Sequence, residues 1–315
     1  MDASARIFIA GAGGLVGSAV VRHLRAEGFT NLLTPNRTEL DLTDQTAINT
    51  FFEREHPEYV FLVAGKVGGI LANSTHPADF IRDNILIQAL VIDAAHRNGV
   101  RKLLDLGSSC IYPKQAPQPM TEDCLLTSAL EPTNEWYAVA KITGLKMCQA
   151  FHRQYGFNAI SLMPTNLYGP GDNFDLESSH VLPAMLRKFH DAKETGASEV
   201  VLWGTGAPKR EFLFVEDLAD ACLFVMRNYD GEQFLNVGTG QDLSIRELAE
   251  LVAEVTGFSG GIVWDSTMPD GTPRKLLDVS RLHALGWKAK TSLPDGIRIS
   301  YKWFLEHRTT AKGGA

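Results

Sequence analysis

Arg6-Ile7-Phe8-Ile9-Ala10-Gly11-Ala12-Gly13-Gly14-Leu15-Val16-Gly17 is the stretch of this sequence that predicts its fold. An apolar run ends in a glycine-rich turn, and an amphipathic segment follows as far as Gly28. Glycines at positions 11, 14 and 17 permit a tight turn and a close approach of backbone to a pyrophosphate, with a helix amino end facing the anion. The pattern predicts a strand, a phosphate-binding turn and a helix, although a glycine-rich turn without a ligand is the alternative.

The pattern continues as strands and helices that alternate along the chain. Further strands are predicted at residues 59–64, 102–107 and 158–163, with helices at 43–55, 79–98 and 135–155. This alternation predicts an α/β fold with a doubly wound parallel sheet of the Rossmann type. Regular alternation stops after residue 163 in a run of turn residues, so a smaller α+β substrate-binding lobe is expected there. We assign 1–165, completed by about 212–239, to the dinucleotide-binding domain, and 166–211 with 240–310 to the lobe.

The second predicted strand, Asn31-Leu-Leu-Thr34, bears on the choice of cofactor. An NAD site usually has an acidic residue about 20 positions after the glycines, whereas an arginine there suits a 2′-phosphate. This strand is followed by Arg37 and has no acid at its end. Arg37 therefore favours NADP, the alternative being a solvated surface arginine. Residues 39–42 are predicted as a short strand whose Asp41 approaches the adenine.

Composition limits the classes of function. Hydrophobic residues make up 44% of the 315 positions, the formal net charge is -7 and the pI is about 5.7. This balance argues against broad binding to nucleic acid or to anionic membranes. No apolar run reaches the roughly 18 residues of a membrane span. The four cysteines have no metal-ligand spacing and no secretory leader precedes the first strand, so we expect a cytoplasmic protein without a metal site.

Two pairs of polar residues mark the expected chemistry. Ser108 and Cys110 leave the carboxyl end of the strand at 102–107, where open parallel sheets bind ligands. Tyr137 and Lys141 are four apart, which on a helix places phenol and ammonium on one face. A cation beside a phenol lowers its pKa from about 10, so Tyr137 is predicted to exchange protons near neutral pH while Ser108 holds a carbonyl oxygen. Cys110 taken alone is more typical of a small buried residue.

The predicted lobe holds an aromatic residue and cations. His180 precedes an apolar helix that carries Lys188, and a lone histidine there is more typical of a cap or a surface residue. Trp203 and Arg210 lie near one loop and suit a base and phosphates, although either is also compatible with a structural role. The loop at 269–275 is too charged to be buried without a partner. The helices at 79–98 and 135–155 are apolar around more than one stripe, which favours pairing in a homodimer over burial in the core.

Longer motifs are more specific than the glycine turn. They are Lys66-Val67-Gly68-Gly69-Ile70, Ser108-Ser109-Cys110-Ile111-Tyr112-Pro113, Pro164-Thr165-Asn166-Leu167-Tyr168-Gly169 and Pro269-Asp270-Gly271-Thr272-Pro273-Arg274-Lys275. With the glycine triplet, His180 and the Tyr137/Lys141 pair, they make nearly the whole chain resemble the extended short-chain dehydrogenase/reductase family. Within that family, the motifs most resemble those of members that act on a GDP-linked 4-keto-6-deoxy hexose.

The resemblance implies a bifunctional NADPH-dependent enzyme. Such enzymes convert GDP-4-keto-6-deoxy-D-mannose to GDP-L-fucose by epimerising C3 and C5 and then reducing the C4 ketone. Ser108, Tyr137 and Lys141 match the reductase triad, and Cys110 and His180 match the epimerisation base and acid. Residues that match nucleotide-sugar positions are Lys188, Trp203, Arg210, Asp270 and Lys275. Residues in cofactor segments are Gly11, Gly14, Leu15, Val16, Gly17, Arg37, Asp41, Leu42, Ala64, Leu106, Gly107, Lys141, Pro164, Asn166, Leu167 and His180.

Some expectations stay open at this stage. A thiol of ordinary pKa about 8.5 needs help to act as a base, and a protonated His180 is expected to supply it. Some relatives carry an arginine where this chain has Gly13, which weakens the case for a 2′-phosphate. The alternatives are an epimerase/reductase for a related GDP-linked 3-deoxy keto sugar and a non-catalytic NADP-binding regulator of the same fold.

Overall fold

A computed structural model describes residues 1–69, 73, 75–176, 178–268 and 270–307. Ile70, Pro269 and residues 308–315 lie outside the described residues. The strands are β1 (Ile7–Ala10), β2 (Leu32–Leu33), β3 (Tyr59–Leu62), β4 (Lys102–Leu106), β5 (Ala159–Pro164), β6 (Asn166–Tyr168), β7 (Glu199–Trp203), β8 (Lys209–Arg210), β9 (Phe212–Phe214), β10 (Leu235–Val237), β11 (Leu243–Ser244), β12 (Gly261–Asp265) and β13 (Arg274–Lys275). The helices are α1 (Leu15–Ala26), α2 (Gln45–Glu55), α3 (Pro77–Arg97), α4 (Glu135–Tyr155), α5 (Val181–Thr195), α6 (Val215–Asn228), α7 (Ile245–Thr256), α8 (Ser280–Ala284) and α9 (Leu293–Glu306).

Six parallel strands form the large sheet in the order β10-β5-β4-β3-β1-β2. Apolar residues of α1 and α6 pack on one face, and those of α2, α3 and α4 pack on the other. A parallel sheet needs helices on both faces because its strands are apolar on both sides. The predicted doubly wound α/β fold is confirmed.

The chain between and after these elements forms smaller sheets. Strands β11, β8 and β13 form one, and the pairs β12/β7 and β6/β9 form two more. Helices α5, α7 and α9 surround an apolar cluster that includes Phe189, Leu202, Leu248 and Phe304. The division of the chain at about residue 165 stays a prediction. No helix among the described residues combines the length and hydropathy that a membrane span requires.

The predicted strand at residues 39–42 is wrong. The Asn36 side chain accepts hydrogen bonds from the Thr38 and Glu39 backbone N–H groups at 2.9 and 3.2 Å. Asp41 accepts another from the backbone of Thr43 at 2.9 Å. Asn and Asp side chains that bond their own backbone favour turns over strands, so β3 is the third strand of the chain.

Candidate active site

The glycine turn leads from β1 into α1. Gly11 has a φ of +95°, and a Cβ at this position would lie 2.8 Å from the backbone of Ala64. A Cβ on Gly17 would collide with the carbonyl of Gly11. Gly13, in contrast, has no heavy atom within 4 Å of a Cβ position. Positions 11 and 17 therefore require glycine, whereas position 13 has room for a side chain.

This turn fits a dinucleotide phosphate. Gly14 is the N-cap of α1, and no described side chain caps that helix end. The N–H groups of Leu15 and Val16 in the first helical turn are therefore available to an anion. Because glycines have no side chains, the space in front of the amino end of α1 is open, and a pyrophosphate fits there.

The expected cofactor residues follow the carboxyl edge of the sheet. Leu106 and Gly107 lie at the end of β4, Pro164 ends β5, and Ala64 follows β3. Asn166 and Leu167 lie in β6, where the Asn166 amide donates to the Glu211 carbonyl at 2.7 Å. Most of the predicted cofactor segments therefore lie at the carboxyl ends of the strands, on one side of the sheet.

Arg37, Asp41 and Leu42 lie beyond the end of β2. Arg37 is exposed, and its guanidinium makes no hydrogen bond or ion pair with the described residues. Hydrogen bonds from Thr43 lower the pKa of the Asp41 carboxyl. Leu42 packs on the apolar cluster beside α2. Arg37 is therefore available to a phosphate, whereas Asp41 is already engaged within its own turn.

Ser108 and Cys110 occupy a tight turn after β4. Ser108 is the N-cap of a short 3-10 turn, and its hydroxyl accepts the Cys110 N–H at 3.3 Å. Cys110 is only 8% exposed. Burial raises the pKa of its thiol, and the positive charge of Lys275 is the largest opposing influence.

Tyr137 and Lys141 lie near the start of α4, as predicted, but their electrostatics differ from the expectation. The Lys141 ammonium is buried, donates to the Leu106 carbonyl at 2.8 Å and lies 5.9 Å from the centre of the Tyr137 ring. Burial raises the pKa of the Tyr137 phenol, and Cys110 and Asp105 add to this effect. Burial also lowers the pKa of Lys141. The phenol is thus a proton donor in this structure, because loss of solvent disfavours the phenolate.

His180 is the N-cap residue of α5, and its side chain accepts no capping hydrogen bond from the described residues. The residue as a whole is exposed, but loss of solvent around its ring nitrogens, together with the charge of Lys275, lowers its pKa. The expected aid to the thiol from a protonated His180 is therefore not what the structure provides. Lys275 of β13 is the cation that acts on both groups, and burial lowers its own pKa.

The predicted nucleotide-binding residues Lys275, Arg210 and Asp270 lie in or next to the small sheet that contains β8 and β13. Lys275 pairs in register with Arg210 of the parallel strand β8, and Asp270 acts electrostatically on Arg210. Asp270 accepts hydrogen bonds from the Thr205 N–H at 2.9 Å and from its hydroxyl at 2.7 Å. These bonds fix the turn that follows Trp203.

Trp203 at the end of β7 and Lys188 of α5 are the other two predicted nucleotide-binding residues. The Trp203 side chain is 66% exposed, and the Lys188 ammonium lies 5.8 Å from the centre of its ring. Lys188 also approaches the Val201 carbonyl at 3.5 Å. An exposed aromatic plane with a cation suits a flat base next to phosphate.

Two buried acids were missed at the sequence level. Glu211 accepts N–H groups from Thr239 and Gly240 at 2.7 Å and from Leu277 at 3.1 Å, which joins β9, the turn after β10 and the segment after β13. Asp105 lies in the middle of β4 and is fully buried. The signal in both cases was an acid beside or within an apolar strand.

The fold and these groups define the chain as a dinucleotide-dependent enzyme of the doubly wound α/β class. The profile described as "NAD dependent epimerase/dehydratase family" matches residues 7–238. The chain belongs to this family, and a nicotinamide dinucleotide is accordingly its cofactor.

Individual relatives agree with this assignment. GDP-L-fucose synthase 1 of Arabidopsis thaliana is 61% identical over 306 residues, covering 97% of this chain and 95% of that protein. GDP-L-fucose synthase of Escherichia coli (strain K12) is 52% identical, covering 98% and 99%. A solved GDP-L-fucose synthetase from Naegleria fowleri bound to NADP has a TM-score of 0.92 at 28% identity, covering 99% of this chain and 96% of that chain. The predicted family and class of enzyme are confirmed.

Proposed function

We propose that this chain converts GDP-4-keto-6-deoxy-D-mannose to GDP-L-fucose with NADPH, by epimerisation at C3 and C5 followed by reduction at C4. The observation that carries the proposal is that Ser108 and Cys110 lie in the turn just after β4, and that Lys141 is hydrogen-bonded at 2.8 Å to the Leu106 carbonyl at the end of the same strand. Lys275 in addition acts electrostatically on both Cys110 and His180. This arrangement supports one shared site for the epimerisation pair and the reductase pair. The relatives named above support the choice of sugar.

Epimerisation needs a base and an acid that serve opposite faces of the ring. A C4 ketone acidifies the hydrogens at C3 and C5, so each is removable by a positioned base. We assign Cys110 as the base and His180 as the acid. At rest, burial favours a thiol and a neutral imidazole. Catalysis needs a Cys110 thiolate and a protonated His180; the positive charge of Lys275 favours the thiolate and opposes protonation of the imidazole.

Reduction uses the other pair on the same carbonyl. When bound, NADPH supplies a hydride to C4. Tyr137 donates its phenolic proton to the C4 oxygen, Ser108 orients that oxygen, and the Lys141 charge stabilises the phenolate that remains. The raised pKa of the Tyr137 phenol keeps the proton in place until the oxygen becomes basic.

We assign the GDP part of the substrate to Lys188, Trp203, Arg210, Asp270 and Lys275. Trp203 and Lys188 suit the guanine, and Arg210 and Lys275 suit the diphosphate because a phosphate attracts partly buried cations strongly. Asp270 shapes the turn between them. Burial lowers the pKa of Lys188 and Arg210, and a bound diphosphate would oppose that effect.

NADPH, rather than NADH, is part of the proposal. Arg37 is exposed after β2 and has no hydrogen-bond partner among the described residues, so it is available to a 2′-phosphate. Because Gly13 has no cationic side chain, we assign the contact with the 2′-phosphate to Arg37.

A homodimer and a cytoplasmic location also belong to the proposal. The half-buried Ile85, Leu86 and Ala89 lie along α3, which packs on α4. We assign these two helices to contact with a second copy, and sedimentation analysis measures whether the protein is a dimer. All four cysteines are free thiols, which suits a reducing compartment.

The direct test is product analysis in deuterated water. We expect NADPH oxidation, GDP-L-fucose as product, and solvent deuterium at C3 and C5. Tyr137→Phe should abolish NADPH oxidation yet retain exchange at both carbons, and Cys110→Ala should do the reverse with slow reduction of the unepimerised ketone. Simultaneous loss of both activities in Tyr137→Phe would contradict the division of roles.

The same assay separates the alternatives. Deuterium at C5 but not at C3, with a 3-deoxy keto sugar as the better substrate, would favour the related epimerase/reductase. A flat absorbance trace with either sugar, in a protein that binds NADPH, would favour the regulator.

A further inference from the structure

The buried carboxyl of Asp105 is the polar group that the proposed chemistry leaves unexplained. Asp105 is fully buried in β4, and its strand neighbours Leu104 and Leu106 pack into the cluster under α1 and α6. Because side chains alternate along a strand, Asp105 faces α3 and α4, as Leu103 does. An acid therefore occupies a position otherwise filled by apolar side chains.

Gln88 of α3 is the neighbour of this carboxyl. In one orientation of its side-chain amide, the Gln88 nitrogen donates a long hydrogen bond of 3.4 Å to Asp105 Oδ1. The Gln88 nitrogen is satisfied when it turns toward the Ala140 carbonyl at 2.7 Å and the Asn84 carbonyl at 3.2 Å. In that orientation the amide oxygen is the atom that faces Asp105.

Two oxygen atoms in this arrangement need a proton between them. Asp105 Oδ2 has no hydrogen-bond partner among the described residues, so an ionised Asp105 would lack any donor. A buried carboxylate without donors is strongly unfavourable. The geometry therefore favours a protonated carboxyl whose proton faces Gln88 Oε1.

This contact joins the strand and helix that hold the reductase lysine. Gln88 binds the carbonyl of Ala140, which directly precedes Lys141. Lys141 in turn donates to the carbonyl of Leu106, which directly follows Asp105. The same turn of α4 is thus tied to the same part of β4 by two independent routes.

We propose that Asp105 is a positioning residue for the reduction: a protonated carboxyl that, through Gln88, fixes the turn of α4 carrying Lys141. The inference rests on the proposed reduction and adds a residue to it. The titratable groups that act on Asp105 or respond to it are Lys141, Tyr137 and Cys148, all on α4. Burial raises the pKa of Asp105 and the charge of Lys141 opposes this, so the acid and the lysine are coupled.

Asparagine and leucine substitutions test the proposal. Asp105→Asn keeps a donor to Gln88 without any charge, whereas Asp105→Leu removes the donor. The measurements are single-turnover NADPH oxidation with the keto sugar, KM for the sugar, and solvent exchange at C3 and C5. Ser161→Ala is the matched control, because Ser161 is buried and pairs in register with Asp105 on β5 but takes no part in the contact with Gln88.

We expect Asp105→Leu to slow reduction about tenfold or more, since small displacements of catalytic groups have effects of that size. Its KM and its exchange at C3 and C5 should stay unchanged, and Asp105→Asn should retain most of the rate. Reduction as slow in Asp105→Asn as in Asp105→Leu would show that a charged carboxylate is needed and overturn the proposal. A rate in Asp105→Leu equal to that of Ser161→Ala would also overturn it.

An infrared measurement tests the protonation without any substrate. The difference spectrum of the unmodified protein minus Asp105→Asn should contain the carbonyl stretch of a protonated carboxyl at neutral pH. A carboxylate band in its place, from a variant whose circular dichroism matches that of the unmodified protein, would overturn the proposal. Failure of the unmodified protein to reduce the keto sugar would refute the proposed function but leave this spectrum as an independent result.

Discussion

The Lys141 ammonium donates a 2.8 Å hydrogen bond to the backbone carbonyl of Leu106. The lysine is thereby anchored to the end of β4, and its charge lies 5.9 Å from the centre of the Tyr137 ring. Burial raises the pKa of the phenol, and Cys110 and Asp105 add to this effect. Tyr137 is therefore protonated before the reaction, as the proton donor in a reduction should be.

Lys141→Met should separate catalysis from folding. We expect reduction to fall on the order of 10²- to 10⁴-fold, the usual size of an acid-base contribution. The free energy of unfolding should change little or rise, because methionine fills the site without a buried charge. NADPH oxidation and thermal unfolding measure the two effects. A large loss of stability with residual activity in the folded fraction would assign the lysine a structural role.

Two glycines of the phosphate-binding turn form a matched pair. Gly17→Ala places a Cβ on the Gly11 carbonyl, so we expect loss of cofactor binding and a destabilised fold. Gly13→Ala places its Cβ in open space and should bind cofactor as the unmodified protein does. Titration of NADPH fluorescence and thermal unfolding report both variants. Equal behaviour of the two would mean that the turn does not pack as described.

Arg37→Ala probes the cofactor preference. Because Arg37 is available to a 2′-phosphate, we expect KM for NADPH to rise about tenfold or more, the size of one lost charged hydrogen bond. KM for NADH, which lacks that phosphate, should change much less. Steady-state kinetics with both cofactors provide the comparison. An equal effect on both would show that Arg37 is only a surface residue.

Asp172 predicts a pH dependence of stability. Burial raises the pKa of its carboxyl from 3.8 to about 7, and its Oδ2 has no hydrogen-bond partner among the described residues. A raised pKa means that the folded state binds the proton more tightly, so this contribution to stability is complete below pH 3.8 and is lost as the pH rises to about 7.

Asp172→Asn removes that ionisation. Its unfolding free energy relative to the unmodified protein should rise between the two pKa values by on the order of 2–4 kcal/mol and level off above them. Urea unfolding at several pH values measures the gap. A gap that is constant with pH would show that Asp172 ionises normally in the folded protein.

Local sequence patterns determined much of this protein. The glycine turn at Gly11, Gly14 and Gly17, the exit of Ser108 and Cys110 from β4, and the spacing of Tyr137 and Lys141 all follow from short-range geometry. Such features depend on residues within a few positions of one another, so the chain displays them directly. The strand expected at 39–42 failed for the same local reason, because Asn36 and Asp41 form turns with their own backbone.

Only the tertiary structure decided the electrostatics. It brings Lys275 rather than a protonated His180 to act on Cys110, docks Lys141 on Leu106, and encloses Asp105 beside Gln88. These relationships join residues from distant parts of the chain, and they determine which groups hold protons. Desolvation depends on everything packed around a group, and the Coulomb interaction depends on distance in space, so neither is encoded by spacing along the sequence.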